Sequence, residues 1–260
     1  MPQSVKKVIF FIPTLYGGGA ERVVSELSCN MPNRVKQYIV VFENKAGYKH
    51  KAELIVINAD TFISKNLFIK LKQIIRRFIA FRRVVRAIEP DVVLSFLQAN
   101  TINILVKQFS FGVKKRYRAV ISERTATSEI DLIKKGFYGF VNRVWIRMLY
   151  KKADDIIAVS CGIKYGLESD FGVNPEKIKV IYNPVDAEKV RRLSLEKMDH
   201  PWFEDSVPIL VNVGRLAAQK SQRDILLMLA ALRQERQCRL VIIGEGGLRE
   251  DLTFLARRLN

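Results

Sequence analysis

Three consecutive glycines, Gly17, Gly18 and Gly19, lie between the first apolar run of the chain and a helical pattern that begins near Ala20. Glycines let backbone amides approach a ligand closely, and the start of a helix offers unpaired N–H groups at the positive end of its dipole. The loop is therefore suited to bind an anion such as a phosphate. Its spacing matches neither G-x-G-x-x-G nor a Walker motif. A plain flexible loop is the alternative, but the position directly after the first strand favours a ligand site.

A second loop, residues 213–220, carries Arg215 and Lys220 five residues apart and follows the first strand of a later strand–helix pattern. An arginine can bind two oxygens as a fork, and a lysine adds a point charge. If they converge on one ligand, the two cations are suited to bind a diphosphate. A solvated basic loop is the alternative, and it is the more common outcome for charged surface residues.

Short β-branched runs alternate along the chain with longer helical patterns, which predicts a parallel sheet covered by helices on both faces. The predicted strands are Val8–Ile12, Tyr38–Phe42, Leu54–Ile57, Asp91–Phe96, Arg118–Ser122, Asp155–Val159 and Ile178–Tyr182. The predicted helices begin near Ala20, Asn66, Asn100, Phe137 and Gly162. The predicted fold class is thus α/β, with a doubly wound parallel sheet.

The pattern is interrupted at Asn183-Pro184-Val185-Asp186 and by a polar stretch that runs to about Pro208. It then restarts with a strand at Ile209–Val213, a helix at about Ser221–Glu235, a strand at Leu240–Ile243 and a helix from Leu248. We therefore predict a first domain at residues 1–186, and a linker with the start of a second Rossmann-like domain at residues 187–260. A typical sheet has about 4–6 strands, so we expect the second domain to be incomplete in this chain.

The chain is strongly basic, with 44 Lys and Arg against 26 Asp and Glu, a formal net charge of +18. This charge attracts polyanions, so nucleic acids, anionic lipid surfaces and phosphorylated small molecules are candidate partners. The 48% hydrophobic and 27% charged residues exclude a disordered chain. Three dispersed cysteines and two histidines exclude a disulfide framework, a zinc cluster and a histidine-rich metal site. We expect a cytoplasmic protein, and the absence of a run of about 18 apolar residues predicts no membrane-spanning helix.

The stretch from Lys65 to Arg86 has eight basic residues and no acidic one. Its apolar residues recur every three or four positions and form one helix face, which comprises Leu67, Leu71, Ile74, Phe78, Phe81, Val85 and Ile88. Phe68, Ile75 and Ile79 widen this face, whereas Lys65, Lys72, Arg76 and Arg83 gather on the opposite side. A core helix with a solvated face is one interpretation. The other is a helix that docks on anionic lipid, at about 1 kcal/mol per cation, through Lys72, Arg76, Arg77, Arg82 and Arg83.

A second stretch, from Lys134 to Lys152, combines aromatic and basic residues in the same predicted domain. The aromatic members are Phe137, Tyr138, Phe140, Trp145 and Tyr150, and the basic members are Arg143, Arg147, Lys151 and Lys152. This composition suits a lipid headgroup region or the pyrophosphate of a lipid-linked acceptor. Two such stretches in one domain favour peripheral association with the inner face of the cytoplasmic membrane.

Several segments together resemble the family-4 retaining glycosyltransferases. Residues 17–24, GGGAERVV, resemble the opening loop of that family. Ser160 and the segment Val180–Asp186 resemble its inter-domain region. Gly214-Arg215-Leu216 with Gln219-Lys220, followed by Ile243–Arg249, resemble the opening of its donor-binding domain. Each motif is weak by itself, but their order and spacing cover nearly the whole chain.

The resemblance implies the glycosyltransferase-B fold, in which a first Rossmann-like domain binds the acceptor and a second binds the nucleotide sugar. The glycine loop and the basic loop would then face each other across a cleft. The resemblance also implies transfer with retention at the anomeric carbon, without a metal or another cofactor. Arg215 and Lys220 would neutralise the leaving diphosphate, and Gly18 and Gly19 would let their loop close over the phosphates. A UDP-linked donor follows from the habit of the family alone.

Two features depart from the family pattern. The chain ends at Asn260, before the Glu-x₇-Glu region that holds the donor sugar, and we therefore expect a chain that is truncated within the donor domain. Ser122-Glu123-Arg124-Thr125 stands where many relatives have a histidine. That tetrapeptide resembles the subset that builds bacterial surface or lipid-linked glycans, often by transferring N-acetylhexosamine. Glu123 and Arg124 either contact the acceptor or donor sugar or form a structural pair at the strand end.

Four functions are compatible with these observations. The first is a membrane-peripheral hexosyl- or N-acetylhexosaminyltransferase that extends a lipid-linked or surface oligosaccharide, such as lipopolysaccharide or capsule. The second is a non-catalytic remnant that binds an acceptor or a membrane. A nucleic-acid-binding protein is third, but only the net charge supports it, since no nucleic-acid-binding motif is present and no specific nucleic acid is expected. A nucleotide-sugar epimerase of the same fold is the fourth.

Overall fold

The computed structural model describes residues 5–45, 47–61, 67–109, 116–125 and 137–259. The chain forms two compact units, Met1–Val185 and Asp186–Asn260. Each unit contains a parallel sheet and helices. Lys65, Asn66 and Lys134, which the sequence patterns include, lie outside the described residues.

The first unit is built on a seven-stranded sheet in which every neighbouring pair is parallel. The strands are β1 (Lys6–Ile12), β2 (Val35–Val41), β3 (Glu53–Val56), β4 (Val92–Phe96), β5 (Arg118–Glu123), β6 (Asp155–Ala158) and β7 (Ile178–Val180). Their order across the sheet is β3-β2-β1-β4-β5-β6-β7. All seven predicted strands are present, with ends shifted by at most three residues, and the α/β prediction is confirmed.

Helices cover the sheet unequally on its two faces. They are α1 (Gly19–Asn30), α2 (Leu67–Ile88), α3 (Ala99–Gln108), α4 (Phe137–Tyr150) and α5 (Cys161–Ser169). Valines of α1 pack on one face against Phe10 and Ile39. Helices α2 and α3 pack on Ile9 and Val93, and α3, α4 and α5 pack on Ile121 and Ile156.

The strand register shows that α2 to α5 form one layer. Side chains alternate between the two faces of a strand, and residues paired across neighbouring strands share a face. Ile9 is paired with Val93, which is paired with Ala119, two residues before Ile121. Ile121 in turn is paired with Ile156. The four helices that pack on these residues therefore lie side by side on the face opposite α1.

Helix α2 is held on the sheet mainly through its second half. Phe81 is fully buried and stacks on Phe11, with ring centroids 3.7 Å apart. Val85 and Ile88 are also buried, which agrees with the predicted apolar face. Leu71, which was predicted to lie on that face, is instead exposed. Phe78, seven residues later on nearly the same side of the helix, packs against the core cluster, so Leu71 is exposed because it precedes the part of α2 that the cluster covers.

The second unit consists of two parallel strands and three helices. The strands are β8 (Ile209–Val213) and β9 (Arg239–Ile243), and the helices are α6 (Ala187–Ser194), α7 (Gln222–Leu232) and α8 (Arg249–Arg258). Leu216, Leu226 and Leu252 form its buried core. Both predicted strands and the helices near Ser221 and Leu248 are present. Within the described parts of both units, no helix has the length and apolar content needed to span a bilayer.

We expect Phe81→Ala to lower the free energy of unfolding by about 3–5 kcal/mol, because it removes the buried ring that joins α2 to the sheet and leaves a cavity. Urea denaturation followed by circular dichroism measures this change. Ile79→Ala is the matched control, since Ile79 lies on the same helix but is exposed; its effect should stay below about 1 kcal/mol. Equal effects of the two substitutions would contradict the described orientation of α2.

Candidate functional site

The glycine loop lies at the carboxyl end of β1, an interior strand of the first sheet. Leu15, before the glycines, is buried, and its backbone N–H donates to the carbonyl of Lys45 at 2.9 Å. Gly17 has a φ of +76°, in the left-handed region that favours glycine. Gly18 is the N-cap of α1, and Gly19 is its first residue. Gly17 and Gly19 are exposed, so backbone on either side of the N-cap is accessible to a ligand.

The Glu21 side chain folds back over the first turn of α1, so that its carboxylate lies at the start of the helix. A Cβ atom at Gly18 would overlap the Glu21 carboxylate, so this carboxylate lies directly against Gly18. Glu21 is the third helical residue, from which a glutamate commonly folds back to the N-cap and complements the helix dipole. A phosphate at this helix end would therefore have to share it with a carboxylate. The capping pattern in the sequence was the signal from which the position of Glu21 could have been predicted.

Glu123, at the end of β5, has its carboxylate turned into the protein. One carboxylate oxygen accepts a hydrogen bond from the Tyr150 hydroxyl at 2.6 Å. The other faces the backbone N–H groups of Arg124 and Thr125, at 3.2 and 3.4 Å. Burial raises the pKa of Glu123, although these hydrogen bonds oppose the rise. Both oxygens thus have partners within the protein, which matches the structural interpretation of this residue.

Arg124 lies at the same strand end and connects several segments of the first unit. Its guanidinium donates to the side-chain oxygen of Asn183, which follows β7. The guanidinium carbon lies 6.0 Å from the ring centroid of Phe96, at the end of β4. Desolvation lowers the pKa of Arg124, and the nearby carboxylates of Glu21 and Glu123 oppose that shift. A half-buried cation therefore contacts residues at the carboxyl ends of β4 and β7 from its own position after β5.

The strand order explains why these side chains converge. Helix α1, which follows β1, packs on one face of the sheet, whereas α3, which follows β4, packs on the other. Because β1 and β4 are neighbours, their following loops diverge and leave a crevice at the carboxyl edge, the usual ligand position in open α/β sheets. Gly17–Gly19 borders this crevice on one side, and Leu97, with a φ of +56°, follows β4 on the other.

In the second unit, the basic loop after β8 has a backbone that is fixed by its neighbours. The N–H of Gly214 donates to the carbonyl of Ile243 at 2.9 Å, and the N–H of Leu216 donates to that of Glu245 at 3.0 Å. The buried amide of Gln222 donates to the carbonyl of Arg215 at 3.0 Å. The role of Gln222 could not be predicted from the sequence, since a polar residue at a helix start has many other roles.

Arg215 and Lys220 both present exposed side chains at this strand end. A short 3₁₀ turn, Ala218–Lys220, reverses the chain and brings the aliphatic part of Lys220 beside Gly214. Among the described residues, neither cation is paired with a carboxylate. The structure thus brings the two predicted residues to one loop, on a fixed backbone, with charges available to an anionic ligand.

Gly244 and Gly246 allow the loop after β9 to contact the basic loop. A Cβ atom at Gly244 would overlap the carbonyl oxygen of Gly214, and one at Gly246 would overlap that of Leu216. Neither overlap can be relieved by a side-chain movement, because the neighbouring atoms are backbone. These glycines therefore position the backbone that carries Arg215.

The predicted membrane-facing cations of α2 have different environments. Lys72, Arg76 and Arg83 are exposed, and Arg82 is half-buried. Arg77 was wrongly assigned to this surface, since only 4% of it is exposed.

Arg77 is buried because it fills a polar position between α2 and the sheet. Its guanidinium donates to the side-chain oxygen of Gln98 at 3.3 Å and to the carbonyl of Asp60, and it lies 4.7 Å from the ring centroid of Phe42. Burial lowers the pKa of Arg77. The side chains of Phe137, Tyr138, Phe140 and Arg143, in the second predicted stretch, lie outside the described residues.

Comparison with known proteins identifies similar sequences. A family model described as Glycosyltransferase Family 4 matches residues 17–189. A Campylobacter jejuni protein is 29% identical over 257 residues, which cover 98% of this chain and 67% of the relative. That relative is named N-acetylgalactosamine-N,N'-diacetylbacillosaminyl-diphospho-undecaprenol 4-alpha-N-acetylgalactosaminyltransferase.

Two solved structures share the fold. The lipopolysaccharide outer core galactosyltransferase WaaB, in its apo form, has a TM-score of 0.62 at 18% identity, over 97% of this chain and 65% of that one. Anabaena HepE in complex with UDP and glucose has a TM-score of 0.64 at 16% identity, over 98% of this chain and 66% of that one. This chain thus spans about two thirds of the length of the proteins it matches.

Gly244→Ala should lower the free energy of unfolding by about 1–3 kcal/mol, because the added methyl group forces apart two backbone segments. Hydrogen exchange of peptides from residues 209–216, together with urea denaturation, measures the effect. Gly247→Ala is the control, since a Cβ atom there meets no atom within 4 Å. Unchanged exchange in Gly244→Ala would contradict the close contact between the two loops.

Proposed function

Because the chain belongs to glycosyltransferase family 4 and has the glycosyltransferase-B fold, we propose that it transfers a sugar from a nucleotide-sugar donor to a lipid-linked or cell-surface oligosaccharide. The Campylobacter jejuni relative, whose name describes a diphospho-undecaprenol-linked substrate, supports the lipid-linked acceptor. The UDP complex of HepE supports a UDP-linked donor. The transferred group is a hexose or an N-acetylhexosamine, and the reaction takes place in the cytoplasm.

The observation that carries this proposal is the basic loop of the second unit. When the bond between the sugar and the diphosphate breaks, negative charge develops on the leaving diphosphate. Arg215 binds two of its oxygens as a fork, and Lys220 adds a positive charge beside them. The backbone that carries Arg215 is held by hydrogen bonds before a ligand binds, so mainly the two side chains have to become ordered on the diphosphate. In this scheme the two side chains take the role that a divalent cation has in other transferases, and the sugar is transferred with retention.

In the first unit, the glycine loop and Arg124 bind the other reacting groups. Exposed backbone at Gly17 and Gly19 is suited to bind a phosphate group, while Glu21 limits how closely an anion reaches the helix end. Arg124, which is half-buried beside the glycine loop, contacts the transferred sugar or the acceptor. Glu123 acts through Arg124 as a positioning residue, since its carboxylate holds the backbone of the strand end.

We expect Arg215→Ala and Lys220→Ala each to reduce turnover by roughly 10²–10³-fold through the loss of charge stabilisation. The measurement is transfer of radiolabelled sugar from UDP-N-acetylhexosamine to an undecaprenyl-diphosphate-linked acceptor, with the protein as its host produces it. Arg223→Ala is the matched control, because Arg223 is exposed on the neighbouring helix but lies outside the loop. Unchanged turnover in both loop variants would remove these residues from the mechanism.

The same assay tests the metal-independent scheme and the non-catalytic alternative. A chelator should leave the turnover of the wild-type protein unchanged, whereas a loss that added Mg²⁺ or Mn²⁺ restores would contradict the role given to Arg215 and Lys220. If the wild-type protein binds the acceptor but no donor supports turnover, the chain functions as an acceptor-binding protein instead.

Arg124→Ala should lower kcat/KM by about 10–100-fold, because a charged hydrogen bond contributes about 1.5–3 kcal/mol. Arg118→Ala serves as the control, since Arg118 is an exposed arginine at the opposite end of the same strand, where it is paired with Asp155. Steady-state kinetics with the acceptor as the varied substrate measures both variants. Equal kcat/KM values in the two would contradict a substrate contact at Arg124.

A further inference from the structure

The outward face of α2 carries a stripe of exposed apolar side chains. Phe68, Leu71, Ile75 and Ile79 are 85%, 54%, 49% and 44% exposed. They recur every three or four residues and therefore lie along one side of the helix. Single exposed apolar residues are common on soluble proteins, but a continuous stripe of this kind is typical of a surface that binds a partner.

Cations border this stripe along the whole described length of the helix. Lys72, Arg76 and Arg83 are exposed, and α2 contains no acidic residue. Arg77 and Phe81 contact aromatic residues of the sheet layer, so the opposite side of α2 faces outward. The outward surface is thus apolar along its centre and cationic along its border.

A second surface of the same character lies on α4, in the same helix layer. Val144, Trp145 and Met148 are exposed there, next to the exposed cations Arg147 and Lys151. Helix α3 lies between α2 and α4, and all three pack on the same face of the sheet. Tryptophan is enriched at the boundary between lipid and water, where its ring is partly in each phase. The two mixed surfaces therefore belong to one side of the first unit.

From this arrangement, we propose that the outward face of α2, with the exposed part of α4, binds the surface of an anionic phospholipid bilayer. The 22 residues of α2 extend over about 33 Å, so the helix can lie along the bilayer plane. Its apolar stripe enters the boundary between headgroups and acyl chains, and its cations contact anionic headgroups.

Other occupants fit this surface less well. A protein partner would need an apolar groove with acidic side chains matched to the row of cations along about 33 Å of helix, whereas an anionic bilayer presents negative charge over its whole surface. A nucleic acid would be bound by the cations but offers no apolar phase for four exposed aliphatic and aromatic side chains. A bilayer surface provides both an anionic layer and an apolar layer at the required depth.

Membrane binding is separate from sugar transfer, and it can be measured without a transferase assay. The full chain is mixed with vesicles of phosphatidylglycerol and phosphatidylcholine, or of phosphatidylcholine alone, and bound protein is measured by flotation. We expect binding to the anionic vesicles only. Lys72→Gln, Arg76→Gln and Arg83→Gln together should weaken it by roughly 100-fold, about fivefold for each cation removed. Leu71→Ser with Ile75→Ser should also weaken it, at unchanged net charge.

The matched control removes three cations from another exposed helix, through Lys189→Gln, Arg191→Gln and Arg192→Gln in α6. Its net charge equals that of the α2 charge variant, and it should bind as the wild-type protein does. Equal losses in the two charge variants, or full binding of either α2 variant, would overturn the proposal. So would binding to duplex DNA but not to vesicles. Circular dichroism confirms that each variant is folded, and failure of the proposal leaves the transferase assay unaffected.

Discussion

The pairing of β1 with β2 on one side and β4 on the other is the constraint on which the first unit depends. β1 is buried on both faces, because Phe10 and Ile12 belong to the cluster under α1 while Ile9 and Phe11 belong to the cluster under α2 and α3. Only a strand with two apolar faces can occupy this position. Since the chain leaves β1 and β4 toward opposite faces, their loops separate and open the crevice at the carboxyl edge. The glycine loop and Arg124 meet there because of this strand order.

Two buried carboxylates, those of Glu21 and Glu123, lie beside the crevice. Glu21 lies over the start of α1, and Glu123 accepts hydrogen bonds from Tyr150 and from the backbone at the end of β5. Both carboxylates lie close enough to Arg124 to oppose the loss of its charge on desolvation. In the second unit, the glycines after β9 and the amide of Gln222 position the basic loop.

Cations that contribute to the net positive charge of the chain lie in three different environments: buried in the core, at the carboxyl ends of strands, and on the exposed face of α2. Arg77 is a structural cation, which is retained between α2 and the sheet by a carbonyl, an amide and an aromatic ring. Arg124, Arg215 and Lys220 lie at the carboxyl ends of strands, where a ligand can reach them. Lys72, Arg76 and Arg83 border an exposed apolar stripe. Net charge alone could not separate these groups, because it is a sum over all of them.

The amino-acid sequence by itself determined the order of strands and helices, the parallel sheet, and the positions of the glycine and basic loops. It could do so because apolar periodicity and glycine placement are local properties that reflect which backbone conformation buries the chain. The tertiary structure alone decided that Arg77 turns inward and Leu71 outward, and that Glu123 is paired with Tyr150. These outcomes depend on contacts between residues far apart in the chain or on a few tens of degrees of helix rotation. A helix with apolar residues on most of its circumference can pack in several rotations, and here the stacking of Phe81 on Phe11 selects one of them.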